Sequence, residues 1–188
     1  KTRGKRTDES LEIVQRLLSG ETFDYSGEFF QFEQARIIPV PDPSIPVYVG
    51  GRADAALRRA GRYADGWLGI WCSSERYAES IELFDRAAEE RDRSIEADHG
   101  IQLWVGVGED KDEAASYVGP AMEGFYRVPF DKFARYTPHG TVDNIVDFLA
   151  PYLEAGCRHF NLTPVASSSE KGIEVIAQVG ERLRAMAD

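Results

Sequence analysis

From Pro46 onward, short apolar runs alternate with amphipathic stretches, and this alternation constrains the fold more than any other feature of the chain. Val47–Val49, Trp67–Trp71, Ile101–Val107 and His159–Val165 read as strands. Asp54–Ala64, Ser74–Arg91, Asp110–Val118, Thr141–Ala155 and Ser169–Met186 carry apolar residues at helical spacing. Asp110 and Glu113 have the spacing of a capping box. Gly119-Pro120 predicts an interruption, and the aromatic-rich stretch Met122–Tyr136 reads as short helices. Strands that alternate with helices imply βαβ units and a parallel sheet. The strands are near-continuous apolar runs, as expected where helices cover the sheet.

A different kind of segment precedes this pattern. Thr7–Leu18 reads as a helix capped by Thr7 or Asp8 and ended by Gly20. Phe23, Tyr25, Phe30 and Phe32 alternate around Ser26-Gly27, which predicts a hairpin. Pro39, Pro41, Pro43 and Pro46 then hold the chain extended. The expected organisation is a single or partial domain, with a helix, hairpin and proline-rich excursion over 1–45 and four βα units over 46–188. A (β/α)8 barrel needs eight such units and about 250 residues. The 188 residues here therefore fit either a small open sheet or half of a barrel, and periodicity does not decide between them.

Composition excludes several functions. A net charge of −10 opposes nucleic acid as the main partner, because phosphate repels an acidic surface. No apolar run approaches the roughly 18 residues of a membrane span. The basic stretch Lys1–Arg6 has no apolar segment after it and is not read as a signal peptide. Cys72 and Cys157 make neither a disulfide framework nor a zinc site, so no metal is expected. A cytoplasmic location follows as the default expectation.

The first residues with chemical promise are Gly50, Gly51, Arg52 and Ala53, between a strand and a helix. N–H groups at a helix N-terminus favour an anion. Glycines let a phosphate approach the backbone, and Arg52 could add a charge-assisted contact. A plain tight turn is the bland alternative; neither a dinucleotide fingerprint nor a Walker A loop is present. The second candidate is Gly69, Ile70 and Trp71, where Trp67 and Trp71 could face a planar ring at the C-terminal end of a strand. Core packing explains the same residues. Cys72 lacks an identifiable helper for nucleophilic chemistry. His99, His139 and His159 lack metal-ligand spacing and read as structural, although either His159 or Asn161 could face the inner side of the sheet. No carboxylate pair stands out, so no catalytic residue is named.

Pro46-Val47-Tyr48-Val49-Gly50-Gly51, followed by Ala55–Ala64 and Asp65-Gly66-Trp67, resembles the luciferase-like monooxygenase family, the flavin- or deazaflavin-dependent enzymes related to bacterial luciferase. Arg6–Leu11 with Tyr25–Phe30, Gly108–Ala114 and Glu154–Leu162 are similar to further segments of that family. The resemblance implies a (β/α)8 TIM-barrel fold, of which this chain would supply strands five to eight, a C-terminal half. It implies that Gly50, Gly51, Arg52 and Ala53 grip the phosphate of FMN or of an 8-hydroxy-5-deazaflavin coenzyme (coenzyme F420), with Gly69, Ile70 and Trp71 near the cofactor. The implied activity is that of an oxidoreductase or monooxygenase acting on a small-molecule substrate, this chain carrying the cofactor-phosphate half. A homo-oligomer is expected. Two other readings stay open: a catalytically incompetent half-barrel that self-associates or binds an anion, and an open-sheet protein that binds phosphorylated ligands without redox chemistry.

Overall fold

The computed structural model describes residues 2–94 and 97–187, so Lys1 of the basic N-terminal stretch lies outside the described residues. Among the described residues there are seven strands and six α-helices. Five of the strands take part in parallel pairs, where the sequence predicts four. The expectation of strands five to eight alone is thereby overturned. The additional strand, His139–Gly140, is too short for periodicity to reveal. The chain forms two compact units, residues 1–68 with 80–98 and residues 69–79 with 99–188.

The first unit opens with α1 (Thr2–Leu18). It begins earlier than predicted, and neither Thr7 nor Asp8 caps it: Asp8 pairs with Arg59, and Thr7, like Ser10, bonds backward along the helix. The hydroxyls of Thr7 and Ser10 donate to the carbonyls of Arg3 and Arg6, at 2.9 and 2.8 Å, a bond that fits residues inside a helix. The predicted hairpin forms from β1 (Phe23–Ser26) and β2 (Gln31–Ala35), with Tyr25 opposite Phe32 and their rings stacked at 5.7 Å. Glu9 of α1 anchors its turn by accepting the N–H groups of Glu28, Phe29 and Phe30 at 2.7, 3.0 and 3.2 Å. A Cβ on Gly27 would fall 2.4 Å from a Glu9 carboxylate oxygen, so a side chain there would displace the carboxylate that holds the turn. Arg16 lies over the buried Phe23 ring at 3.8 Å, and Arg59 of α2 (Asp54–Tyr63) pairs with Asp8.

In the same unit β3 (Tyr48–Gly50) runs parallel to β4 (Gly66–Ile70), pairing Val49 with Trp67 and Gly50 with Leu68. Helix α2 buries Leu57, Ala60 and Gly61. Gly61 permits backbone approach to α3 (Ser74–Glu89), where a Cβ would sit 2.2 Å from the Phe84 carbonyl oxygen. Arg93 closes α2 by donating to the Gly61 and Ala64 carbonyls at 2.7 and 3.0 Å.

The second unit is built on β5 (Gly100–Val107), paired with β6 (His139–Gly140) and along its length with β7 (His159–Val165), all parallel. Ile101, Leu103 and Val105 are buried on one face of β5. The other face carries Gln102 and Trp104, in register with Asn161 and Thr163. Helix α4 (Lys111–Tyr126) starts as predicted, with Asp110 accepting from the Glu113 N–H at 2.8 Å. It continues through Gly119-Pro120 instead of stopping. Pro120 sits on the exposed side, where water can take the carbonyl that a proline leaves unpaired. Two 3-10 turns follow, Phe130–Lys132 and Ala134–Tyr136. Helix α5 (Val142–Glu154) begins with a capping box between Thr141 and Asn144. Helix α6 (Ser169–Ala187) buries Val175, Val179 and Leu183 along one stripe.

Replacing Glu9 with alanine strands three turn N–H groups that now share one carboxylate. The expected cost is about 1–3 kcal/mol, with faster proteolysis at residues 27–30. Urea unfolding and limited digestion measure both effects.

Candidate functional site

The turn between β3 and α2 is held from below by Trp67. This side chain is 1% exposed, and its indole N–H donates to the Gly51 carbonyl at 2.8 Å. A buried indole N–H needs an acceptor, so packing Trp67 fixes where the turn lies. The two residues before it serve the same end. The Asp65 carboxylate accepts the Val47 N–H at 2.8 Å, and the Asp65 N–H donates to the Val47 carbonyl at 2.8 Å. Gly66 leaves no room for a side chain, because a Cβ would lie 2.6 Å from the Asp98 carbonyl oxygen and from the Tyr48 ring. The run Ala64-Asp65-Gly66-Trp67 thus positions the turn and contributes no reactive group of its own.

The two glycines of the turn differ in kind. Gly51 has φ +132°, and a Cβ on it would sit 2.7 Å from Ala56 Cβ, so the fold itself requires glycine there. Gly50 is under no such constraint. A Cβ on it would meet only the Leu68 carbonyl oxygen, at an ordinary 3.7 Å. Its surface is open at the C-terminal end of a parallel strand, where ligands bind in α/β folds. Ala53 is the N-cap of α2 and supplies no side-chain cap, so the first turn is left to backbone groups. Arg52 and Ala53 are exposed. Asp54 lies in the first turn of the helix, where its negative charge favours the macrodipole and competes with an incoming anion.

Gly69, Ile70 and Trp71 fall in the second unit. Gly69 is buried, and Ile70 and Trp71 are half-buried. Trp71 has φ +49°, a left-handed conformation that is costly for a bulky residue. Its ring meets Tyr126 at 4.9 Å and Phe133 at 4.8 Å. Trp104 donates its indole N–H to the Tyr126 hydroxyl at 3.1 Å. Trp104, Tyr126 and Phe133 join Trp71 in this cluster, and of these only Tyr126 and Phe133 fall in the aromatic-rich stretch Met122–Tyr136 that the sequence marks. The two tryptophans of the Trp67–Trp71 run have different roles: Trp67 is a buried support, and Trp71 belongs to an aromatic cluster.

The remaining titratable groups have structural settings. Cys72 and Cys157 are both buried. Burial pushes the Cys157 thiol above its usual range, despite hydrogen bonding that favours the thiolate, the opposite of an activated nucleophile. Burial likewise raises Tyr77 and Tyr152, and the Tyr152 hydroxyl donates to the Cys72 carbonyl at 2.7 Å. His99 is buried, and its carbonyl accepts the Arg158 N–H at 2.8 Å. His139 places Nδ1 2.7 Å from the Thr137 carbonyl oxygen. His159 and Asn161 are both exposed, as residues two apart in a strand must share a face. Among the described residues, no group of three or more His, Cys, Asp or Glu side chains could hold a metal ion. No helix among them is long and apolar enough to cross a membrane.

Substituting Trp67 with phenylalanine keeps most of the packing and removes the donor to Gly51. The expected result is a folded chain destabilised by about 1–3 kcal/mol through the unpaired carbonyl, with faster hydrogen exchange at residues 51–56. Ellman's reagent is expected to leave both cysteines unmodified in the native chain and to react with them after unfolding.

A family model described as luciferase-like monooxygenase matches residues 1–157. A Mycobacterium bovis protein of uncharacterised function is 53% identical over 66 residues, 35% of this chain and 23% of its own length. The F420-dependent glucose-6-phosphate dehydrogenase of Nocardia farcinica is 25% identical over 214 aligned residues, covering all of this chain and 63% of the dehydrogenase. The solved structure of an F420-dependent secondary alcohol dehydrogenase in complex with an F420–acetone adduct superposes with a TM-score of 0.81 at 19% identity, over 95% of this chain and 61% of that one. The chain spans less than two thirds of the length of these relatives. The family match begins in α1 and takes in the hairpin, and the β/α alternation continues to α6. The expectation of a C-terminal half is corrected accordingly, along with its corollaries of a cofactor-phosphate half and an incompetent half-barrel module. The whole chain, from its N-terminal helix through its alternating strands and helices, belongs to the luciferase-like monooxygenase family.

Proposed function

We propose that this chain works as a flavin- or deazaflavin-dependent oxidoreductase on a small-molecule substrate, and that the Gly50–Ala53 turn receives the cofactor phosphate. Gly50 carries the reading. It is a glycine that neither its backbone nor its neighbours require, and its open surface precedes a helix without a side-chain cap. Such a surface suits a ligand that must approach the backbone closely. Gly51 makes the turn, Ala53 keeps the helix end unobstructed, and the exposed Arg52 supplies a charge-assisted contact that offsets the nearby Asp54 carboxylate.

The bound cofactor would supply hydride or electron transfer, and the protein's share is binding, orientation and exclusion of water. The phosphate turn serves FMN and a deazaflavin equally. The names of two relatives that align with nearly all of this chain, an F420-dependent glucose-6-phosphate dehydrogenase and an F420-dependent secondary alcohol dehydrogenase, favour coenzyme F420.

Fluorescence titration with FMN and with coenzyme F420 tests the proposal. Saturable binding of one of them is expected. Gly50→Val suits a strand position with room for a side chain, so it should leave the thermal midpoint within a few degrees while weakening binding by about tenfold or more, the worth of roughly 1.4 kcal/mol. Wild-type affinity in that variant would move the phosphate elsewhere.

A further inference from the structure

We propose that Phe125, Trp104 and Tyr126 form a binding wall for a substrate with an apolar or aromatic body and one oxygen acceptor, a ketone or alcohol and not a sugar phosphate. The proposal rests on the oxidoreductase reading only in taking the ligand to be a substrate.

The wall is assembled within the second unit. Trp104 lies on the face of β5 opposite Ile101, Leu103 and Val105, in register with Thr163 of β7, and packs against the buried cluster of Val118, Met122 and Phe133. Phe125 and Tyr126 come from the last turn of α4. The Phe125 ring lies 5.7 Å from Trp104 and 4.8 Å from Tyr126, and the Tyr126 ring lies 6.1 Å from Trp104. Phe125 is nevertheless 69% exposed. Three aromatic rings in mutual contact, one of them facing water, present apolar area with defined stacking geometry at little cost in side-chain entropy.

The polar handle is Tyr126. An indole N–H only donates, so the Tyr126 oxygen must accept the bond from Trp104 at 3.1 Å. That fixes the sense of the hydroxyl: its own proton is left to donate outward, and no acceptor takes it among the described residues. The wall therefore offers a donor to an uncharged oxygen beside an aromatic surface. Below it, Gln102 and Asn161 extend the same sheet face with neutral polar groups. The wall's own groups are uncharged, which favours a carbonyl or hydroxyl oxygen on an apolar body over a phosphate.

Two probes of nearly equal shape test the wall on the full chain, with tryptophan quenching or calorimetry as the readout. 2-Acetylnaphthalene carries the acceptor oxygen and 2-ethylnaphthalene lacks it. Saturable binding of both is expected, with the ketone about three- to tenfold tighter, the usual worth of one hydrogen bond. Tyr126→Phe keeps the ring and should erase that preference while leaving the hydrocarbon unchanged. Phe125→Ala alters an exposed side chain and should weaken both probes by about fivefold. Equal affinities for the two probes in the wild type, or unchanged binding in Phe125→Ala, would overturn the proposal. So would tighter binding of glucose 6-phosphate than of either probe. Cofactor titrations of the same variants separate the two readings: probe binding without FMN or F420 binding removes the cofactor assignment alone, and the reverse removes the wall alone.

Discussion

The hydrogen bond from Trp67 to the Gly51 carbonyl is the constraint on which the first unit depends. A large side chain sealed from water carries one polar atom, and that atom has to be paired. Meeting the requirement ties the middle of a strand to a turn sixteen residues earlier in the chain. Asp65 and Gly66 reinforce the tie at the strand entrance, one through its bonds to Val47 and the other by having no side chain. The fold itself thus holds the turn in place, the kind of preorganisation on which the proposed phosphate contact would draw.

The second unit depends on the two-sidedness of β5. Ile101, Leu103 and Val105 are sealed on one face, while Gln102 and Trp104 stand on the other. What packs against Trp104 on that second face is decided by the length of α4. Because the helix passes through Pro120 and ends only at Tyr126, its last turn delivers Phe125 and Tyr126 to Trp104. A helix that stopped at Gly119 would have left Trp104 without its hydrogen-bond partner.

Much of the fold was legible because its signals are local. The hairpin, the strands around Val49, Trp67, Val105 and Leu162, and the long helices followed from periodicity, and their ends shifted by only a few residues. Larger departures have specific causes. The second 3-10 turn leads into a strand of two residues, His139–Gly140, which has no period to detect. The hydroxyls of Thr7 and Ser10 turned inward to helical carbonyls, and α1 grew at its N-terminus. Pro120 lies where water can satisfy the freed carbonyl, and the predicted break did not occur. In the candidate site, Gly50 and Gly51 were visible as a pair, but nothing in the sequence separates the glycine that makes the turn from the one left open.

The sequence by itself determined the alternation of strand and helix and the position of the glycine turn before α2, because each is written in residues a few positions apart. Tertiary structure alone decided that Trp67 supports the turn while Trp71 joins an aromatic cluster. It also decided that Phe125 and Tyr126 meet Trp104 and that both cysteines are sealed. Those outcomes depend on contacts between residues as much as eighty positions apart, such as Tyr152 with the Cys72 carbonyl. Local periodicity carries no information about such pairs, since it specifies which face a residue occupies and not what that face will meet.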